Sequence, residues 1–269
     1  MDDFSDIVPF EEAMQALAKR GVLPTSLGSA ALQKLGGQFH RNNFTSAQTL
    51  LTDLLTRYKE SVDSIINPEV VQRPDRVTAE NPDGNVTEGL NFAQARSDIQ
   101  EQLRALGYAP EPGAEGTITD LSSDQRVSLV LRTNVQMSQG QGNWLQSQRV
   151  GVLDAFPADE LFRLEARVKQ RDWQARWRIS GELTGDPIGT GWTITPEGRM
   201  IALKNHAIWD ELGSSENFPD GLDQPWPPFA FNSGMWVRSV SHTDCVDIGL
   251  LKSANDIPRP KSLLEVALS

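Results

Sequence analysis

"LFRLEARVKQRDWQARWRI", Leu161 to Ile179, decides how the second half of the chain is read. Phe162, Leu164, Ala166 and Val168 alternate with Arg163, Glu165, Arg167 and Lys169. Trp173, Ala175, Trp177 and Ile179 then alternate with Gln174, Arg176 and Arg178. Period two on both sides of a short polar turn predicts a β-hairpin over residues 162–179. Its outer face is basic, with six basic and two acidic side chains from Arg163 to Arg178. Two uses of that face are open. Arg163, Arg167, Arg176 and Arg178, interleaved with Trp173 and Trp177, suit nucleic acid through phosphate contacts and base stacking. Alternatively, they form a solvated sheet face that covers acidic neighbours such as the 210–223 loop. "GTGWTIT" and "GRMIALK" add further short strands.

The chain before this stretch reads as helical. Phe10, Ala13, Met14 and Leu17 recur at helical spacing, and Gly21 stops that short helix. A second begins at Ser29, weakened by Gly36 and Gly37. The longest apolar stripe runs through Ala47, Leu50, Leu51, Leu54, Leu55, Tyr58, Val62, Ile65 and Ile66, and Pro68 ends it. A loop with Pro68, Pro74 and Pro82 follows. Asn91 to Leu106 is the next helix, with Phe92, Ala95, Ile99, Leu103 and Leu106 on one face. Asn91 and Gln94 fit a capping box, and Gly107 stands where a C′ glycine belongs. Another helix starts near Ser122, with Gln125 completing its box. Val127, Val130 and Leu131 begin its stripe, and Asn134, Ser138 and Gln141 continue the same face. A polar stripe must surface or find partners, because an unpaired buried amide costs about 1–3 kcal/mol.

Composition narrows the classes. The 269 residues carry a net charge of −11, which argues against a general electrostatic preference for nucleic acid while leaving a local basic patch open. The single cysteine, Cys245, excludes an intramolecular disulfide and a cysteine-based zinc site. His40, His206 and His242 show no metal-ligand spacing. No window is apolar enough for a membrane span. "MDDFSDIVPFEE" carries five acids and no base, unlike a signal peptide. No Walker or GxSxG motif occurs. The one candidate for acid–base chemistry is His206 with Asp210, an i, i+4 pair on one helix face, which would make a hydrolase.

The Pro-aromatic stretch "QPWPPFAFNSGMWVRSV", 224–240, holds one charge, Arg238. Pro227 and Pro228 predict a rigid extended turn, Asn232 to Gly234 supply turn chemistry, and Phe229, Phe231 and Trp236 pack it onto the C-terminal sheet or a partner.

The order of these segments carries a resemblance. "VPFEEAMQALAKRGVLPT", "FHRNNFTSAQTLLTDLL", "SLVLRTNVQMSQGQGNWLQ", "RDWQARW", "GRMIALKNHAIWDELG", "PWPPFAFNSGMWVRSVS" and "DIGLL" follow one another across residues 8–251. The set resembles the phage Mu F-like minor head proteins, the head-morphogenesis proteins of tailed phages. The matching positions are Arg132, Thr133, Asn134, Arg171, Asp172, His206, Trp209, Pro227, Pro228 and Asn232. Two departures stand out. "FNSGM" replaces the cysteines that many members carry after the two prolines, as in a cysteine-less branch. "RDWQARW" replaces the more usual "DxRxRxxH" segment.

The resemblance implies a structural protein of the virion head, not an enzyme, assembled in the bacterial cytoplasm. Its implied partners are the portal protein, other head proteins and packaged double-stranded DNA. It implies no cofactor, no metal, no membrane and no small-molecule substrate. The expected fold is α+β, a helical N-terminal half followed by a smaller β-hairpin-containing C-terminal module. Its expected division is 1–74 as N-terminal helical region, 75–252 as head-morphogenesis module and 253–269 as tail.

Overall fold

A computed structural model describes residues 11–67, 69–72, 74–79, 82, 85–88, 91–166, 171–253, 256, 258 and 260–261. The fold is α+β, helix-rich in its N-terminal part and sheet-containing in its C-terminal part. The elements in order are α1 (Glu11–Ala18), β1 (Gly21–Val22), α2 (Ser29–Leu32), α3 (Gly37–Asn42), β2 (Asn43–Phe44), α4 (Thr52–Ile66), β3 (Glu69–Gln72), β4 (Asn85–Glu88), α5 (Phe92–Ala105) and α6 (Asp124–Ser147). They continue with α7 (Val150–Ala155), β5 (Ala158–Arg163), α8 (Trp173–Leu183), β6 (Trp192–Ile194), β7 (Met200–Leu203), α9 (Ile208–Gly213), β8 (Met235–Val240) and α10 (His242–Asp247). The chain forms two compact units. One holds the described residues up to Gly28 together with Asn42–Gly142; the other holds Ser29–Arg41 and the described residues from Asn143 onward.

In the first unit, α1, α4, α5 and α6 bury Ala13, Leu17, Leu54, Tyr58, Val62, Ile66, Ala95, Ile99, Leu103, Val127 and Leu131 around Phe44. The predicted stripe of α4 holds from Leu54 onward, but the helix starts at Thr52. Leu50 and Leu51 are 66% and 42% exposed. The reason is non-local. Thr25 N–H donates to Thr49 O at 2.9 Å and Gln48 N–H to Leu27 O at 2.9 Å, so the backbone of 48–49 is already committed elsewhere. Gln48 takes φ +55°.

α5 follows the sequence reading closely. Gln94 N–H donates to Asn91 Oδ1 at 2.9 Å, and Gly107 takes φ +71°. Tyr108 N–H reaches Leu103 O and Gly107 N–H reaches Arg104 O, the paired bonds of a Schellman end. The box is only half closed, because the Gln94 side chain goes to Asp98. Phe92 is 42% exposed and lies off the buried face. α6 is capped one residue later than predicted, by Ser123, whose Oγ accepts from Arg126 N–H. Its polar stripe finds partners on its own helix: Asn134 Nδ2 donates to Val130 O at 2.8 Å and Ser138 Oγ to Asn134 O at 3.0 Å. Both side chains are buried at no cost in unpaired groups.

In the second unit, the sheet is antiparallel in the order β6-β7-β5-β8. The hairpin predicted over 162–179 is not formed. Its first arm overlaps the strand β5 only at Phe162 and Arg163, residues 167–170 lie outside the described residues, and its second arm is the helix α8. Trp173 and Trp177 are four apart, so they alternate and also share a helix face. Asp172 caps that helix by accepting from Ala175 N–H at 2.9 Å. β5 pairs instead with β7 and β8. The hairpin of this module is β6–β7, Trp192↔Ala202 to Ile194↔Met200, in the two segments read as further short strands.

Strand alternation gives the sheet two faces. Leu161, Met200, Ala202, Trp192 and Met235 face α8 and α9, burying Trp173, Trp177, Ile208, Trp209, Leu212 and Phe229. α8 lies so close that a Cβ on Gly181 would fall 2.4 Å from the Trp192 ring. On the opposite face, Ala158, Ile201 and Val240 pack against Cys245, Leu250 and Leu251.

Candidate functional site

In the second unit, the segments "RDWQARW", "HAIWDELG" and "PWPPFAFNSG" come together around one acidic side chain, Asp220. Arg176 on α8 is 6% exposed. It donates to Asp220 Oδ1 at 2.6 Å and to Leu212 O, in the last turn of α9, through Nε at 3.0 Å and Nη2 at 2.7 Å. Its guanidinium lies 4.0 Å from the Phe218 ring centroid and 4.9 Å from that of Trp173. Burial pulls the Arg176 pKa below its ordinary value, and Asp220 opposes that shift. Arg171 reaches Asp220 Oδ2 at 2.9 Å and donates to Phe231 O at 2.7 Å. The two arginines thus tie α8 to the 212–232 chain.

The aromatic residues form the next layer. Trp209 stacks on Phe229 at 5.7 Å and meets Trp177 edge-on at 5.1 Å. Their indole donors are anchored, Trp209 Nε1 to Leu203 O and Trp177 Nε1 to Thr193 O. Trp226 packs at 5.0 Å from Trp144. The Pro227–Pro228 peptide is cis, and the buried Gln224 amide donates to Trp226 O and Pro228 O. Asn232 takes φ +52°, and Phe231 meets His40 edge-on at 5.3 Å. The Pro-aromatic stretch is therefore packed onto its own unit through Trp226 and Phe229, which are at most 1% exposed.

A second acid, Asp223, anchors α3. Its carboxylate accepts from Gly37 N–H at 2.7 Å, Ser215 N–H at 2.5 Å and Ser215 Oγ at 2.9 Å, and Arg41 donates to its carbonyl. Gly37 fits against Leu222 and Asp223 because it has no Cβ. Neither Asp220 nor Asp223 stood out in the sequence. They entered only within the acidic 210–223 loop as a whole, and the partners named here, Arg176 and Gly37, lie 44 and 186 residues away.

The candidate positions separate into groups. Arg132, Thr133 and Asn134 lie on α6 within the first unit; Asn134 is buried and Arg132 exposed. Arg171, Asp172, Trp209, Pro227, Pro228 and Asn232 all serve the packing just described. The four arginines proposed as one nucleic-acid face do not form one. Arg176 is buried, Arg163 is half-buried on β5, Arg178 is exposed on α8, and Arg167 lies outside the described residues. The alternative, a solvated sheet face whose arginines cover the 210–223 acids, is not formed either: Arg176 does meet Asp220, but from the helix α8 and buried.

His206 and Asp210 take different partners. His206 precedes α9, and its Nδ1 accepts from Ile208 N–H at 3.1 Å. Its Nε2 lies 3.2 Å from Asp186 Oδ2. Burial lowers its pKa, with Asp186 working in the opposite direction. Asp210 pairs with Lys261. A buried Lys204 sits 3.6 Å from Asp159 and donates to Ser239 Oγ at 3.1 Å, while Ser239 donates to Asp159 at 3.2 Å. Burial raises the Asp159 pKa, and Lys204 opposes it. In the first unit, a polar depression lined by Asp53, Thr56, Arg57, Glu60, Asp98 and Gln102 has its arginine already paired with Asp98 and Glu60. Among the described residues, no three His, Cys, Asp or Glu side chains cluster to hold a metal.

Compared with family models, curated proteins and solved structures, the chain matches none.

Proposed function

We propose that this chain is a minor structural protein of a tailed-phage head, of the Mu F-like head-morphogenesis kind, acting at the portal vertex. One observation carries the reading. Three of the segments on which the resemblance rests, distant in sequence, supply the interlocked side chains of one unit. Arg171 and Arg176 come from the first, Trp209 from the second and Phe229 from the third. Segments that must pack on one another are what an ordered family signature consists of when it specifies a fold. The proposed role is non-catalytic, with the portal protein as first partner and the packaged duplex as a further one.

The test is an affinity capture of the tagged chain from cells in which heads are being assembled. Recovery of portal protein with it, and loss of that recovery when Asp220 is replaced by Ala, is the expected result. Portal protein absent from the capture while other head proteins are recovered would overturn the reading.

A further inference from the structure

The helix α8 hides one side and displays another. Trp173, Arg176, Trp177, Ser180 and Gly181 are its buried residues. The outward side carries two rows, each at the four-residue spacing that lines side chains up along a helix. One row is apolar: Ala175, Ile179 and Leu183, with Ile179 45% and Leu183 50% exposed. The other is Gln174, Arg178 and Glu182, all exposed. The solvent side of a helix ordinarily holds polar groups, so two branched aliphatic side chains one turn apart are out of place there.

The charged row is also unsettled within the chain. Arg178 and Glu182 make no ion pair among the described residues. Their order is the weaker one along a helix, because the stabilising i, i+4 pair has the acid first and here the base comes first. Glu182 stands in the last turn, where the negative end of the helix macrodipole repels an acid, and no base stands in that turn. A cation brought to Glu182 from outside would relieve both conditions.

Both rows become complementary when a second α8 is laid antiparallel on the first, about a two-fold axis level with Ser180. Arg178 of each copy then stands level with Glu182 of the other, on the same flank. Leu183 of each copy falls between the levels of Ala175 and Ile179 of the other, a large side chain beside a small one. A parallel arrangement would set Arg178 against Arg178 and Glu182 against Glu182.

We propose that the exposed side of α8 is a self-association surface on which a second copy of this chain docks antiparallel. Ile179 and Leu183 form its centre, and two Arg178–Glu182 pairs form its flank. The helix has 11 residues, a length of about 16 Å, so the contact is small. It falls under the roughly 1,200 Å² of a standard interface, which makes the dimer weak, with a dissociation constant on the order of 100 μM. The surface rests on α8 alone and is independent of the assembly proposal. A failed portal capture leaves it standing.

The experiment is sedimentation equilibrium of the full chain from about 10 μM to about 1 mM, a range that spans the weak dimer. The mean mass is expected to rise from one chain towards two. Arg178→Glu and Glu182→Arg each set like charges face to face twice and are expected to weaken self-association about tenfold. Mixed in equal amounts, these two variants are expected to pair as tightly as the unaltered chain, because every Glu then meets an Arg. The double variant Arg178→Glu/Glu182→Arg is expected to restore self-association for the same reason. Recovery on mixing also shows that neither single variant had lost its fold. A one-chain mass throughout the series overturns the proposal and leaves the apolar row to a partner of another kind. A dimer that the single reversals leave unweakened overturns it too, since its interface lies elsewhere. So does a mixture that associates no more than its two components.

Discussion

Replacing Gly37 by Ala tests the docking of α3 at a single methyl group. The added Cβ would sit 2.4 Å from Asp223 Cβ, 2.4 Å from Leu222 O and 2.9 Å from Asp223 O. Two of these neighbours are backbone atoms, so no side-chain rotation relieves the clash. α3 must lift from the 222–223 turn, lengthening the 2.7 Å bond from Gly37 N–H to the Asp223 carboxylate. Overpacking costs about 1–3 kcal/mol. A hydrogen bond to a charged group contributes about 1.5–3 kcal/mol. Against these stands about 0.4–1 kcal/mol from the lower unfolded-state entropy of alanine. The net expectation is a loss of about 2–5 kcal/mol, read in urea unfolding followed by near-UV circular dichroism. Gly36→Ala is the control, because its Cβ would meet only Asp223 Oδ2 at an ordinary 3.9 Å. It is expected to be neutral or slightly stabilising. The reasoning is refuted if both variants unfold within about 0.5 kcal/mol of the unaltered chain, the range of ordinary surface changes.

Asn91→Ala removes the α5 cap and is expected to cost about 1 kcal/mol, whereas Gln94→Ala, whose exposed side chain meets Asp98, costs far less; equal losses in thermal melts would contradict the half-closed box. His206 has a folded pKa below its ordinary 6.5 because of burial, so below pH 6.5 the unfolded chain takes up a proton the folded chain resists. Stability should therefore fall as pH drops from above 6.5 through the folded value, and His206→Asn should flatten that part of the curve; parallel profiles for the two proteins would show that His206 is not the group responsible. Burial pushes the Cys245 thiol up to about 11, so native protein at pH 8 should react with a disulfide reagent only as fast as it unfolds. Immediate full reaction would place that thiol at the surface. Asp220→Ala should cost about 3–5 kcal/mol in urea because it leaves Arg176 buried without its counter-charge, while a loss under about 1 kcal/mol would mean that the Leu212 carbonyl alone suffices.

What the sequence made legible was local. The body of α4 and the limits of α5 follow from apolar spacing, an Asn cap and a C′ glycine, all encoded within a few residues. What it hid was set by distant partners. Residues 48–50 continue the α4 stripe, yet the pairing of Thr25 with Thr49 withdraws them from the helix. In 173–179, spacing by four satisfies period two and the helical face at once, so the pattern cannot separate them. The feature that does separate them is Asp172, a good cap placed directly before Trp173. The Asp223–Gly37 contact spans 186 residues and has no local signature.

The arginines explain why a basic, alternating stretch misleads. Arg176 faces inward because its acceptors, Leu212 O and Asp220, lie between α8 and the 212–220 chain, where its plane also rests on Phe218. An apolar residue there would leave a last-turn carbonyl of α9 without this donor. Arg199 and Arg238 face outward because their shared acceptor, Glu160, is buried beneath them. The same side chain is thus a packing element or a displayed cation according to the depth of its carboxylate. That depth belongs to the tertiary structure, since Asp220 and Glu160 stand 44 and 78 residues from Arg176 and Arg238. A positive stretch in sequence therefore marks a surface cation only once its acid has been located. In this chain that criterion removes Arg176 from the displayed charge, and it sets Arg199 and Arg238 against Glu160, Glu197 and Asp244, which leaves no net positive charge there among the described residues.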